Sequence, residues 1–163
     1  MSLTERTGSE VTVEELFGHV GLKPHGPKRW IGEKEYEEVS EFCAGVYVVA
    51  LAKELTSPPW AETGEGSKEN TRNVELVHWL KNQVILYIGQ TTKQTLSHRV
   101  HQMHVHKYGD ESPHRGGQAV HLLNCERLVY WAATQDPRVD EKKMLEYFKE
   151  RVRGPKPFAN RRD

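Results

Sequence analysis

The hydrophobic and polar positions of the chain predict a small sheet backed by helices. Two runs rich in β-branched and aromatic residues, one beginning at Gly45 (GVYVVALA) and one ending at Gly89 (VILYIG), are typical of buried strands. A third run at 127–133 (RLVYWAA) predicts a further strand. Apolar residues recur at helical spacing over about 96–108 and 138–152, which indicates two helices that each bury one face. Strands and helices in this order are typical of an α+β fold.

The first 43 residues lack the strand pattern of the rest of the chain. Thr12 precedes a short apolar periodicity and is a candidate helix cap, while the pattern over 33–43 is helical or irregular. We therefore expect a mostly helical N-terminal extension over 1–43 and one further domain over 44–163. Within that domain a polar stretch at about 55–73, rich in Pro, Gly, Glu and Ser, predicts a surface insertion between the first two strands.

The composition favours a soluble globular protein, because 36% of the residues are hydrophobic and 28% are charged. No apolar run has the length of a membrane span, and no charged-then-apolar leader opens the chain. We therefore expect a cytoplasmic location and no membrane partner. The two cysteines, Cys43 and Cys125, lie far apart and match no metal-ligand spacing, so free thiols are expected.

The formal net charge is zero, but the charges are unevenly distributed. Residues 1–43 carry five Lys or Arg against nine Asp or Glu, whereas residues 149–163 carry six Lys or Arg against two acidic residues. A basic C-terminal segment is compatible with phosphate binding. By itself it favours no more than a solvated surface.

Candidate chemistry lies at the two glycine-bounded strands and on the helices that follow. Tyr47 and Tyr87 each stand two residues from a strand glycine, and their hydroxyls are able to pass protons or orient an attacking water. Arg99, on the next predicted helix, offers a planar and permanently charged fork for a phosphate oxygen. A carboxylate on the last helix is suited to holding a hard divalent cation. These are the groups that hydrolysis of a phosphodiester requires.

Together, the strings GVY and YIG, the arginine of the following helix, the late carboxylate and the tail sequence PFANR resemble the GIY-YIG nuclease family over about residues 44–160. The resemblance implies a three-stranded antiparallel sheet flanked by helices. It also implies an enzyme that cuts DNA with Mg²⁺ or Mn²⁺. It also implies roles for individual residues. Tyr47 would act near the nucleophile, as a general base or in a proton relay, and Tyr87 would be the tyrosine of the second motif.

The remaining motif positions follow from the same resemblance. Gly45 and Gly89 are the motif glycines, and Gly89 would allow close backbone packing. Asn160 would be the asparagine near the end of the domain, where we expect it to tie the tail back through side-chain hydrogen bonds. The family often has a histidine one turn after the arginine; this position is Met103 here, which makes His104 only a neighbouring candidate.

Two glutamates compete for the metal-binding role. Glu141 precedes Met144, Leu145 and Phe148 by three, four and seven positions, which places it on the face of the last helix that is turned toward the sheet. Glu146 has the more usual spacing to the tail asparagine but lies away from that face. Helical periodicity therefore favours Glu141 as the Mg²⁺ ligand, with Glu146 as the alternative.

The function expected from the sequence is a metal-dependent DNA endonuclease, restriction-like or stand-alone. The alternatives are a non-catalytic module on the same fold that binds nucleic acid or a partner protein, and a component of a DNA-repair nuclease. The glycine-rich string from His114 to Gly117 is a further candidate for contact with a DNA backbone, although an ordinary exposed turn explains it equally.

Overall fold

The computed structural model describes residues 10–31 and 35–161, and its centre is one antiparallel sheet of five strands in the order β2-β1-β5-β3-β4. The strands are β1 (His25–Ile31), β2 (Glu35–Tyr36), β3 (Gly45–Leu51), β4 (Ile85–Thr91) and β5 (Glu126–Ala133). The α-helices are α1 (Val13–His19), α2 (Glu69–Leu76), α3 (Leu96–Val105) and α4 (Pro137–Val152), and two 3-10 helices span Glu65–Ser67 and Arg115–Leu122. The predicted α+β class is confirmed.

The predictions of a three-stranded sheet and of a mostly helical N-terminal extension are wrong. Only α1 is helical before residue 45 in the described residues, and β1 and β2 extend the sheet beyond β5. The sequence does not predict β1 because Gly26 and Pro27 interrupt the strand pattern. Proline has no N–H group to donate to the hydrogen bonds between strands. The structure accommodates both residues at a register shift between His25 and Lys28.

β3 is the middle strand of the hydrophobic core, between β4 and β5, and all seven of its residues are buried. Val46, Val48 and Ala50 belong to the cluster formed with α1 and α4. Tyr47 and Val49 point to the other cluster, which contains α3 and the 3-10 helix Arg115–Leu122. Because both faces are covered, the strand is apolar throughout instead of alternating.

The helices α1, α3 and α4 correspond to their sequence patterns, with one end revised, whereas α2 was not predicted. Thr12 caps α1 in a reciprocal arrangement with Glu15, as expected of a capping box. α4 matches the predicted range within one residue. α3 ends at Val105 instead of residue 108. None of the helices in the described ranges combines the length and the apolar composition that crossing a membrane requires.

The insertion at 55–73 is an ordered part of the fold. Arg72 donates hydrogen bonds to the carbonyl oxygens of Gly66 and Ala61, at 2.6 and 3.0 Å. The buried carboxylate of Glu75, just beyond it in α2, accepts from the Tyr108 hydroxyl at 2.8 Å and from Arg161. The insertion is therefore joined both to the segment after α3 and to the C-terminal tail.

Candidate active site

An open cavity of about 290 Å³, here called the site cavity, lies between β4, α3, α4 and the tail. Four of the residues predicted from the sequence line it: Tyr87, Arg99, Glu141 and Asn160. The other lining residues are Gln90, Glu111, Pro113, Arg115, Gly116 and Leu145. Positions from four separate parts of the chain thus converge on one opening.

Tyr47 lies behind the wall of the site cavity, in a hydrogen bond with a histidine that the sequence analysis did not assign to catalysis. Its hydroxyl is 2.5 Å from Nε2 of His114, and neither residue is exposed to solvent. Burial, followed by the effect of Tyr87, holds the pKa of Tyr47 well above its usual range. Burial, followed by the charge of Arg99, lowers the pKa of His114 to about 3. Both groups are therefore neutral near pH 7.

Tyr87 connects this pair to the site cavity. Its ring centroid is 6.0 Å from that of Tyr47 and 5.3 Å from that of His114. Tyr87 itself is 8% exposed and lines the cavity. The three rings thus lie next to one another, from the opening to a buried imidazole.

Two glycines leave the space in which these rings pack. A Cβ atom on Gly89 would lie 2.5 Å from Cζ of Tyr47 and 2.6 Å from Cε2 of Tyr87. A Cβ atom on Gly117 would lie 2.9 Å from Cε1 of His114 and 3.0 Å from Cε1 of Tyr87. A larger residue at Gly89 would therefore displace Tyr47 and Tyr87, and one at Gly117 would displace His114 and Tyr87. Gly45, by contrast, is required by the main chain of β5, since its Cβ would meet the Ala132 carbonyl oxygen at 2.2 Å.

Arg99 stands in the first turn of α3 and reaches the site cavity. Thr95 begins this helix by accepting a hydrogen bond from the main chain of His98 at 3.1 Å. Nη1 of Arg99 donates to the Pro113 carbonyl oxygen at 2.8 Å and to Oε1 of Gln102 at 3.0 Å. These two acceptors orient a half-buried guanidinium toward the opening. The exposed Arg115 adds a second cation at the rim.

The two candidate glutamates of α4 occupy different environments. Glu141 is half-buried at the site cavity, and burial raises its pKa to about 7. Among the described residues, none donates a hydrogen bond to its carboxylate. Glu146 is exposed and lies outside the cavity lining. The structure therefore brings Glu141 together with Tyr87 and Arg99, and it does not bring Glu146 there.

The donor set at the site cavity fits a hard cation that keeps most of its water. Mg²⁺ is commonly held by one or two carboxylates together with water and substrate phosphate oxygens. Glu141 offers one half-buried carboxylate that lines the site cavity and accepts no hydrogen bond from the described residues. No group of three or more His, Cys, Asp or Glu side chains suited to a metal occurs in the part of the chain that is described. A cation here would thus depend on Glu141, water and substrate.

Asn160 fixes the edge of β4 at the site cavity. Its side-chain amide donates to the carbonyl oxygen of Ile88 at 2.8 Å, and its side-chain oxygen accepts from the main-chain N–H of Ile88 at 2.9 Å. The main chain of Ala159 donates to the carbonyl oxygen of Leu86 at 2.8 Å. Both neighbours of Tyr87 in β4 are therefore held by the tail.

His104 does not join the other candidate residues. Its ring stacks on Tyr36 with 4.1 Å between centroids and meets the edge of Trp30 at 5.3 Å, and it lines a different cavity. His114 is the histidine at the candidate site instead. The expectation that the string from His114 to Gly117 meets DNA does not hold for His114, which is fully buried; Arg115 is the exposed member.

The sequence carried one weak signal for His114. It precedes two consecutive glycines, and Gly117 turns out to be the position at which a Cβ would collide with the imidazole.

Comparisons with protein-family models, with curated proteins and with solved structures found no match to this chain. What the site does is therefore inferred from its own geometry.

Proposed function

We propose that the protein is a metal-dependent endonuclease of the GIY-YIG type, which hydrolyses phosphodiester bonds in DNA with Mg²⁺ or Mn²⁺. The observation that supports this most strongly is the convergence of Tyr87, Arg99 and Glu141 on one open cavity. The buried pair of Tyr47 and His114 lies directly behind them. This set contains a cation for the phosphate, a carboxylate for a metal and hydroxyl groups for proton transfer.

Arg99 and Arg115 would hold the substrate. A phosphodiester carries its charge on two oxygens, and the guanidinium of Arg99 offers several N–H donors in one plane. As water attacks phosphorus and the bond to the leaving oxygen breaks, charge grows on the phosphoryl oxygens, so a fixed cation stabilises the transition state more than the ground state. Glu141 would hold the Mg²⁺ ion, which supplies further charge neutralisation at phosphorus.

The hydroxyls of Tyr87 and Tyr47 and the imidazole of His114 would move the proton of the attacking water. Tyr87 is the group with access to the cavity, Tyr47 stands behind it, and Nε2 of His114 ends the path. Burial holds the pKa of Tyr47 well above its usual range, so this phenol is not a phenolate at pH 7 and would pass a proton instead of storing a charge. An anionic substrate in the cavity would raise the low pKa of His114 and make it a better acceptor.

The test is cleavage of supercoiled plasmid and of branched DNA by wild-type protein and by two variants of α4. We expect cleavage with Mg²⁺ or Mn²⁺, none with EDTA, and a loss of about a hundredfold or more in Glu141→Gln. Glu146→Gln is the matched control on the exposed face and should cut at the wild-type rate. Discrete fragments would indicate a restriction-like enzyme, and a preference for branched DNA would indicate a repair role.

The outcomes also separate the proposal from its alternative. Folded wild-type protein that binds DNA without cutting it in any metal would support a non-catalytic binding module on the same fold. Equal cleavage by Glu141→Gln and wild-type protein would remove Glu141 from the mechanism.

A further inference from the structure

A second cavity lies apart from the site cavity and shares none of its lining residues. It has a volume of about 680 Å³, within the range of pockets that hold small organic ligands. Its walls come from β1, β5, the C-terminal end of α3 with the residues that follow it, the 3-10 helix Arg115–Leu122 and the middle of the insertion, over 61–68. We call it the second cavity.

The wall of the second cavity contains a buried cation. Arg127 is 2% exposed, and its guanidinium carbon lies 4.4 Å from the centroid of the Trp30 ring. Nη1 donates to the carbonyl oxygens of Val120 and Leu123, at 3.1 and 2.9 Å. Nε has no hydrogen-bond partner among the residues that the structure describes. No ion pair with a carboxylate involves this arginine within the same residues.

An uncompensated buried charge of this kind is costly. Carbonyl oxygens and an aromatic face offset only part of the cost of removing a guanidinium from water. Burial accordingly lowers the pKa of Arg127. An anion entering the second cavity would supply the missing partner.

The other groups at the second cavity favour the same class of ligand. Lys107 is an exposed ammonium on the rim. Lys68 is already paired with Glu65 at 2.7 Å. The remaining charged groups of the lining are the cations Arg127 and Lys107 and one carboxylate, Glu62. Imidazole and phenol rings, including His121 and Tyr108, form part of the wall. Burial lowers the pKa of His121 to about 4, so its ring is neutral and offers a planar surface.

We propose that the second cavity binds a nucleoside phosphate, with the phosphate at Arg127 and Lys107 and the base against the ring-lined wall. The volume admits a ligand of about mononucleotide size. The source is either a free nucleotide or the phosphorylated end of a nucleic acid strand. This site is separate from the proposed hydrolytic site, and its ligand need not be the substrate of that site.

The test is calorimetric titration of the full chain in EDTA, where the proposed metal-dependent reaction is silent. Deoxyadenosine 5′-monophosphate should bind at least about tenfold more tightly than deoxyadenosine, which is the usual worth of a charge-assisted contact. Arg127→Met should lose this preference while its melting temperature without ligand stays equal or rises, because an unpaired buried charge is replaced by an apolar chain of similar length. Equal binding of nucleoside and nucleotide, or retained preference in Arg127→Met, would overturn the proposal.

A second variant keeps the proposal testable if Arg127→Met does not fold. Lys107→Glu alters an exposed side chain on the rim, and it should weaken nucleotide binding several-fold, whereas Lys142→Glu on α4 should not. Unchanged binding by Lys107→Glu would contradict the site. Competition with a 5′-phosphorylated oligonucleotide then identifies the source of the ligand. Displacement of the mononucleotide indicates the end of a strand, and no displacement indicates a free nucleotide. Both results support an anion site.

Discussion

The candidate active site has a buried half and an open half, which differ in charge and in access to water. The buried half, Tyr47 and His114, is fully enclosed, and burial drives both groups to their neutral forms by raising one pKa and lowering the other. The open half, Arg99 and Glu141, borders the site cavity with one cation and one titratable carboxyl group. In the proposed mechanism, this arrangement would separate proton movement in the interior from charge neutralisation at the surface.

This difference predicts that substitutions in the two halves have different signatures. In the open half, loss of the Arg99 side chain should reduce cleavage and leave the free energy of unfolding almost unchanged, because a half-exposed charge contributes little to stability. In the buried half a lost polar group should reduce both quantities, because its partner remains enclosed and unpaired.

The largest expected effect is that of Arg99→Ala. We expect kcat/KM for DNA cleavage to fall by about 10²–10³, mostly through kcat, because a fixed cation acts on charge that develops in the transition state. The melting temperature should change little. The control is Arg115→Ala at the rim, which should lower cleavage less than about tenfold and mainly through KM. Arg99→Ala with wild-type kcat would remove this arginine from the open half.

Tyr47→Phe is the corresponding test of the buried half. We expect cleavage to fall by about a hundredfold if proton transfer passes through this hydroxyl. The free energy of unfolding should also fall, by about 1–2 kcal/mol, because Nε2 of His114 loses its partner at 2.5 Å. Tyr130→Phe, on a half-exposed tyrosine of β5, is the control for removal of a hydroxyl and should preserve both quantities. Lost stability with unchanged cleavage would make the pair purely structural.

The sequence predicted the open half better than the buried half, for a physical reason. Glycine-bounded strands and helical periodicity locate Tyr87, Arg99 and Glu141, since each signal is local in the chain. The burial of His114 depends on packing of a loop against Tyr87, which no periodicity reports. His104 follows Arg99 by five residues and so lies about 140° around the helix, away from the same opening.

The same reasoning explains the strands that were missed. β3, β4 and β5 are apolar enough to be predicted from composition, because both faces of the central strands are covered. β1 is polar and contains Gly26 and Pro27. It is a strand because it pairs with β5, which lies about a hundred residues further along the chain. Pairing at such a separation leaves no local pattern.

A smaller effect on stability is expected from Asn160→Ala, which loosens the boundary between the two halves. It leaves the main-chain N–H and carbonyl of Ile88 without their side-chain partners, so the free energy of unfolding should fall by about 2 kcal/mol. Urea denaturation measures this change. Asn124→Ala, on an exposed asparagine, is the control and should stay within about 0.5 kcal/mol of wild type. Equal stability of the two variants would show that the tail does not hold β4.

The smallest expected effect, and the one most specific to the open half, is the pH dependence of stabilisation by Mg²⁺. Burial raises the pKa of Glu141 from 4.5 to about 7, so the folded protein binds this proton more tightly than the unfolded chain does. The contribution of Glu141 to the free energy of unfolding is therefore highest at low pH, where the carboxyl group is neutral. It declines as the pH rises from about 4.5 to about 7. Mg²⁺ requires the ionised carboxylate and should offset the decline only above that range.

Melting temperatures with Mg²⁺ and with EDTA measure this offset directly. Wild-type protein should gain a few degrees from Mg²⁺ at about pH 8 and nothing at about pH 5.5. Glu141→Gln cannot ionise, so it should melt above wild type in EDTA at the higher pH and respond to Mg²⁺ at neither. A gain from Mg²⁺ that is equal at both pH values, or that persists in Glu141→Gln, would place the cation on other groups. Cleavage would then be expected to depend on those groups instead of Glu141. Arg99 would be the one residue of the open half with a role in the proposed mechanism.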